Sequence, residues 1–592
     1  MRRTARVFAA TAAVIALGLA GCSSGGGDGQ SDDQSGDAKG ESTSVALEDI
    51  NVQPRSALEP GGQLRFAISS LPSYYNTLNV NGNQVDMAST IGAFVEVRNW
   101  LYNGDGTFDI NPNYLESFDD QVETLEVQSP DGKTEEAQKQ VVTLHLNQDA
   151  VWGDGTPITV ADYQATWQAC NGEDAAFLCA STDGYDHIES VEQGANEYEV
   201  IVTFTDVFPD WSAALSQVYP AAGVSDPEVF NNGWEQPNND WFAGPYQFAS
   251  IDQAQQVVTL EKNPNWWGEE GLLDSLSFRA LDPAATGTAF ANSEIDVLTG
   301  IINAQQYLEA QTRSDAEIRR AGGLQWRHFT FNSESGVLND KDLRASIVRG
   351  INREAITESD LSGIPDLVPA DLVLGNHFFM PGQEGYEDNS ADFAYDPERA
   401  QKELDEQGWV LEDGAEYRTK DGETLTFEYL MMPDISTSKN EGELLQAQLK
   451  EIGVEVTIRN IDAATFFDDV LAGQFGVTAF AWQGTPYPMN NINQIYSCAQ
   501  IAPEGQNYAR LCVEEIDELA AKISVEADHE ERLRLANEVD KVIWENTMVL
   551  PIYRRIEMTG VPTNLANYGA FGMASVQAEN IGFVGGDAAP QS

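Results

Sequence analysis

Basic residues are scarce. The 592-residue chain carries 33 Lys and Arg against 94 Asp and Glu, a formal net charge of −61. Nucleic-acid binding depends on Lys and Arg displacing counterions from phosphates, so this balance excludes it. Adhesion to anionic lipid headgroups is excluded for the same reason. The acids are spread along the chain, the pattern of a solvated surface that aids solubility. Histidine is rarer still. His145, His187, His328, His377 and His529 lie far apart, with no H-E-x-x-H among them. There is no G-x-S-x-G elbow. "DGKT" at 131–134 lacks the earlier glycine of a P-loop, because Val127 stands in its place. "NGDGTFDI" at 103–110 begins like a calcium loop but has Phe108 where the sharp turn needs Gly, and Tyr114 where a bidentate Glu would sit. It reads as a turn. Paired carboxylates are everywhere in so acidic a chain and mark nothing. No metal, no cofactor and no catalytic centre is expected; the chain reads as a binding protein, with a hydrolase as the weakest alternative.

Long apolar runs are also lacking, with one exception. Arg2, Arg3 and Arg6 precede "VFAATAAVIALGLA", Val7 to Ala20, too short to span a bilayer comfortably and typical of a signal peptide. The run ends in "LAGC", Leu19 to Cys22, which resembles the bacterial lipobox; Cys22 is the expected lipidation site, with residues 1–21 as the signal peptide. The tract that follows, "SSGGGDGQSDDQSGDAKGES", has no apolar face and reads as a flexible tether over 22–55. A lipid anchor plus a tether implies a domain held off the outer face of a membrane. The roughly 540 remaining residues exceed one core and imply two or more lobes.

Besides Cys22 there are four cysteines, Cys170, Cys179, Cys498 and Cys512. In an exported chain an even number suggests disulfides. Three connectivities are possible. The local pairs Cys170–Cys179 and Cys498–Cys512 are expected, each closing a short loop and contributing roughly 2–4 kcal/mol. Zinc is the alternative, but there is no CxxC and no nearby His.

Period-2 alternation marks strands: Leu64, Phe66 and Ile68 in "GGQLRFAIS", and Val142, Leu144 and Leu146 in "KQVVTLHL". Thr159 is a plausible cap for a helix over Tyr163 to Cys170, and Asn339 or Asp340 for a helix whose Leu343, Ile347 and Ile351 share a face. "TLTFEYLMMP", "ELLQAQLKEIGV" and "EVTIRNI" alternate strand, helix, strand, which implies parallel pairing in an α/β lobe.

One absence is local. Val470 to Pro503 contains no Asp, Glu, Lys, Arg or His, although 21% of the chain is charged and about 7 charges would be expected there. Its centre, "FAWQGTPYPMNN", is aromatic and rich in Gly, Pro and Asn.

The block order resembles the family 5 solute-binding proteins. "LHLNQDAVWGDGTPITVADYQATW", "GPYQF…VTLEKNPNWWG", "LNDKDLRASIVRGINREAI", "FAYDPERAQKELDEQGW" and the helical stretch from "EEIDELAAKI" to "VLPIY" are similar to that family's segments and follow its order from about Gly61 to Tyr568. The resemblance implies an α/β, two-lobed periplasmic-binding-protein fold (class II) with a subdomain inserted in the first lobe. It divides the chain into lobe I (56–100, 220–325 and 547–585), the inserted subdomain (101–219) and lobe II (326–546). It implies a monomeric extracytoplasmic receptor that traps a solute, typically an oligopeptide, by hinge closure and passes it to the permease of an ABC importer. In peptide-binding relatives the matching segment lines the cleft and carries an Asp for the α-amino group. Here that position falls near Thr485, and no acid lies anywhere in the segment. A neutral lining suits a ligand without a cationic amine, since a buried unpaired carboxylate is costly. Trp482 and Tyr487 are then expected to stack on the ligand, with Gln483, Gly484, Thr485, Asn490 and Asn491 offering polar or backbone contacts. Tyr74 and Tyr75, after the first strand, are the second candidate lining. Some actinobacterial lipoproteins of this fold (the LpqW type) act in envelope glycolipid assembly instead, which remains the alternative.

Overall fold

The computed structural model describes residues 45–128, 134–182 and 184–585; the signal segment, Cys22 and most of the tether lie outside the described residues. Strand β1 (Gln63–Ile68) opens the first lobe. Its alternation buries Leu64, Phe66 and Ile68 while the residues between them stay partly exposed. The chain then leaves for a separate antiparallel sheet built from β2 (Leu115–Gln128), β3 (Thr134–Leu146), β4 (Ile188–Gln193) and β5 (Glu199–Phe204), in the order β2-β3-β5-β4. Val142, Leu144 and Leu146 of β3 point into its core, with Trp100 and Trp211 against them. Helix α1 (Val160–Cys170) covers this sheet and carries a complete capping box from Thr159 and Asp162.

The chain returns through β6 (Tyr246–Asp252), β7 (Val257–Lys262) and β8 (Ser275–Ala280), completing a first-lobe sheet ordered β1-β8-β7-β6. Only the β1–β8 pair is parallel. The second lobe holds a five-stranded mixed sheet. Its strands are β9 (Ala316–Phe331), β10 (Thr426–Met431), β11 (Glu455–Asn460), β12 (Val477–Gln483) and β13 (Val549–Pro562), in the order β11-β10-β12-β9-β13. β10 pairs parallel with β11, as the strand–helix–strand reading requires. Helices α2 (Arg353–Asp360) and α3 (Ser436–Glu451) pack on one face, α4 (Phe466–Leu471) and α5 (Asn490–Tyr496) on the other, and α6 (Glu514–Ile523) and α7 (His529–Asn546) behind α5. The architecture is α/β with two lobes.

The long pair β9–β13 runs through both lobes. Thr330↔Val549 lies inside the second-lobe sheet, whereas Gly560 bridges Leu298 of the first lobe and Val561 packs in the first-lobe core. Residues 549–554 thus belong with Trp326–Thr330, not with the first lobe alone. Register breaks between Gly322 and Trp326, the point of crossing. Glycine is required there, because a Cβ on Gly323 would stand 2.5 Å from the Arg555 carbonyl oxygen.

Candidate functional site

The charge-free segment begins as sheet and ends as helix. Val477 and Ala479 are fully buried in the second-lobe core, so the first part of the segment is neutral for structural reasons. From Phe480 onward the surroundings change. β9 pairs with β12 as far as Gln483, but β10 reaches β12 only at Val477 and Thr478. The Gly484 N–H donates to the Leu324 carbonyl at 2.8 Å, which fixes the alternation: Phe480, Trp482 and Gly484 bond to β9. Ala481 and Gln483 therefore turn their N–H and C=O groups away from β9, along an edge with no strand partner among the described residues.

The side chains above that edge are arranged differently from the expectation. Trp482 lies in a row of nearly parallel rings, with its centroid 6.0 Å from His328 and 5.8 Å from Tyr508 and interplanar angles of 6° and 5°. Phe480 stands against its edge at 5.3 Å. The indole is thus engaged by the protein itself and presents only its uncovered part. Tyr487 does not stack either. Its hydroxyl is 2.9 Å from both the Tyr102 hydroxyl and Ser212 Oγ, groups of the inserted subdomain, so it ties the second lobe to the first. Burial and the Tyr102 hydroxyl raise its pKa above the ordinary tyrosine range. Gln483 is exposed, Gly484 is buried, and Thr485 Oγ1 accepts the Tyr487 N–H at 3.2 Å. Asn490 and Asn491 open α5, with Asn490 exposed and facing a cavity.

Tyr74 and Tyr75 are not lining residues. They are 3% and 1% exposed in the first-lobe core. The Tyr74 hydroxyl donates to the Phe230 carbonyl at 2.6 Å, and Tyr75 packs edge-on against Phe248. Their aromatic bodies are consumed by packing, which leaves no face for a ligand.

Two cavities flank the Pro486–Met489 turn between the second lobe and the inserted subdomain. The larger, 770 Å³, is bounded by His187, Phe208, Asn490, Gln494 and Asp517; the smaller, 320 Å³, by Asp105, Phe108, Gln383, Glu384 and Tyr487. Asp210, Met489 and Arg532 border both. Arg532 of α7 grips Asp210 through two donors at 3.1 and 2.7 Å, a second tie across the lobes. Acids absent from the segment do line the cavities beside it. Asp210 is paired with Arg532, and Glu384 meets His529 at 3.2 Å. Asp105 is held below the usual carboxylate range by the Thr107 hydroxyl and N–H. Sequence reading passed over these acids because Asp105 sits in a turn that fails as a calcium loop and Asp210 has no local signature. Among the described residues no group of three or more His, Cys, Asp or Glu is arranged to hold a metal, and no helix is long and apolar enough to cross a membrane. Cys170 is disulfide-bonded to Cys179, and Cys498 to Cys512.

The family model described as bacterial extracellular solute-binding proteins, family 5 middle, matches residues 110–503. The oligopeptide-binding protein OppA of Mycobacterium tuberculosis is 34% identical over 582 residues, covering 97% of this chain and 93% of that one. This chain belongs to family 5 of the bacterial extracellular solute-binding proteins. A more distant relative, the periplasmic oligopeptide-binding protein OppA of Salmonella typhimurium, is 22% identical over 450 residues, covering 71% of this chain and 78% of that one. Solved structures share the two-lobed fold. The periplasmic EDTA-binding protein EppA aligns with a TM-score of 0.76 at 24% identity, over 91% of this chain and 99% of that one. The oligopeptide-binding protein AppA of Bacillus subtilis, solved with a nonapeptide, aligns with a TM-score of 0.67 at 17% identity, over 89% and 100%.

Proposed function

We propose that this family 5 protein captures an oligopeptide, or a ligand with a peptide-like backbone, between its lobes and delivers it to the permease of an ABC importer. It acts as a monomer held to the outer face of the membrane through lipidated Cys22. The observation that carries the ligand class is the unpaired backbone edge at Ala481 and Gln483. An extended chain laid there continues the sheet, and its main-chain hydrogen bonds are indifferent to side-chain identity. OppA of Mycobacterium tuberculosis, an oligopeptide-binding protein, and AppA with its nonapeptide support the same class. Tyr487 and the Asp210–Arg532 pair close the lobes over the edge. Because no acid lies within Val470–Pro503, a ligand's cationic group must find its counter-charge across the cavities, at Asp105 or Glu384, or be absent.

Calorimetric titration of the mature chain with peptides N-methylated at one amide each tests this reading. Added-strand binding makes every second amide essential, so affinity falls about tenfold or more at alternating positions and little between them, given roughly 1–1.5 kcal/mol per hydrogen bond. A uniform response along the peptide would contradict the edge. Binding of no peptide, with a sugar or glycolipid headgroup binding instead, would favour the envelope-assembly role. For the anchor, Cys22→Ala is expected to release the protein from the membrane fraction into the medium.

A further inference from the structure

An extended chain added to β12 sends alternate side chains to opposite faces of the sheet. One face carries Phe480 and Trp482, and over it stand two further rings that the chain brings from elsewhere. Phe467 of α4 lies 5.5 Å from Phe480, and Tyr508 lies 5.7 Å from Phe480, 5.8 Å from Trp482 and 6.4 Å from Phe467. Phe467 is 48% exposed, an unusual state for a phenylalanine that belongs to a ring cluster. Tyr508 and Trp482 are half-buried. The Tyr508 hydroxyl makes no hydrogen bond among the described residues, so the ring is placed by its surroundings rather than tied by its own polar end.

Those surroundings are built. Tyr508 sits in the loop closed by the Cys498–Cys512 disulfide. The preceding residue, Asn507, is 1% exposed and donates from Nδ2 to the carbonyls of Tyr496, Ser497 and Leu511 at 3.2, 3.2 and 3.0 Å. Ser333 Oγ bonds the Ala509 and Arg510 carbonyls, both at 2.9 Å. Arg510, at φ +54°, reaches the Leu471 carbonyl at the end of α4 with a 2.6 Å bond. Loop and helix are therefore fastened to each other, and with them the two rings. A loop with no role beyond closing the surface would not need one buried Asn amide shared among three carbonyls and a left-handed non-glycine residue to fix one exposed-side tyrosine.

Resting on the peptide reading above, we propose that Phe467, Phe480, Trp482 and Tyr508 form a subsite for one aromatic or branched aliphatic side chain of the ligand. The disulfide-closed loop holds Tyr508 as its specificity-determining wall. The subsite offers ring faces and edges and no counter-charge within the segment, so an acidic side chain is disfavoured there.

The test is an alanine-based heptapeptide series in which each position in turn is Ala, Leu, Phe, Lys or Glu, titrated into the mature chain. One position should prefer Phe or Leu over Ala by about tenfold and disfavour Glu. In Tyr508→Ala the Phe/Ala ratio at that position falls to about twofold, while Tyr508→Phe keeps it. Cys498→Ser with Cys512→Ser lowers the ratio in the same direction. A ratio unchanged in Tyr508→Ala overturns the subsite, as does a wild type that binds the series without preference at any position. A wild type that binds no member of the series fails the peptide reading itself, a distinguishable result. Should the double Ser variant misfold, as a lowered melting temperature would show, the two Tyr508 variants still decide the matter.

Discussion

Strands β9 and β12 turn Trp326, His328, Phe480 and Trp482 to one face of the second-lobe sheet and Arg327, Phe329, Ala479 and Ala481 to the other. On the first face His328 is fully buried, neither ring nitrogen makes a hydrogen bond of normal geometry among the described residues, and burial with Arg327 nearby keeps its pKa well below the ordinary range. On the second face Arg327 Nε donates to Glu441 Oε1 at 2.7 Å and its Nη2 to the other oxygen, with Glu441 wholly buried. Beside that pair, one Asp360 oxygen accepts the Tyr553 hydroxyl at 3.2 Å and the other makes no hydrogen bond of normal geometry among the described residues. The same strands thus exclude charge on one side by holding an imidazole neutral, and on the other keep charge by pairing it. The free edge at Ala481 lies between the two solutions. Its small residues face the charged side and its large rings the uncharged one, so a ligand chain would meet two chemically different rows.

The largest effect should come from the charged face. Glu441→Gln leaves Arg327 buried beside a neutral amide, and urea unfolding is expected to show a loss of about 3–5 kcal/mol. Replacing both partners, Arg327→Met with Glu441→Leu, should recover most of it. A single variant that costs less than about 1 kcal/mol would mean that water reaches the pair and that the two faces are more alike than their packing shows. Asp360 sharpens the same comparison through pH. Burial, and next the Glu441 charge, push its carboxyl up to about 8. Its folded pKa then exceeds its unfolded value, so between about pH 4 and 8 the native state holds a proton that the unfolded chain has released. Stability is lost as pH rises through that window. Asp360→Asn should remove this slope, gaining about 1–3 kcal/mol at pH 8 and little near pH 4. Denaturation at the two pH values gives the answer; an unchanged slope would assign the pH dependence to another group.

Local pattern carried the reading of the fold a long way. The alternation of Leu64, Phe66 and Ile68, and of Val142, Leu144 and Leu146, is a property of the strand itself and survives into the core. The Thr159 cap is equally local, and of the two caps left open downstream it is Asp340 that accepts from the Asp342 and Leu343 N–H groups. The site was legible only in outline. The charge-free stretch contains the free edge at Ala481 and Gln483, but the neutrality of Val477 and Ala479 within it belongs to the core. Trp482 read as a free platform because Tyr508 and His328 are remote in sequence. Arg532 and Asp210, 322 residues apart, carry no shared motif. Tyr74 and Tyr75 show the converse error. An aromatic pair after a strand suits a cleft and a core equally, and Phe230 and Phe248, contributed by later segments, decide for the core.

His328 supplies the smallest and most discriminating change. Its two buried nitrogens lost their water on folding and, among the described residues, gained no hydrogen bond of normal geometry, a cost that hydrogen-bond energetics place at about 1–3 kcal/mol. Phenylalanine has nearly the same outline and no such atoms. It would keep the contacts with Trp326, Phe480 and Trp482, at centroid distances of 5.0, 4.4 and 6.0 Å. His328→Phe is therefore expected to raise stability by about 1 kcal/mol, part of the relieved desolvation being offset by fitting the larger ring. A melting-temperature rise at both pH 6 and pH 8 would show that the ring is neutral throughout and that the uncharged face tolerates a wholly apolar substitute. A clear loss would show that the nitrogens are bonded to an internal water, and the aromatic row above the free edge of β12 would then be a hydrated network rather than a dry one.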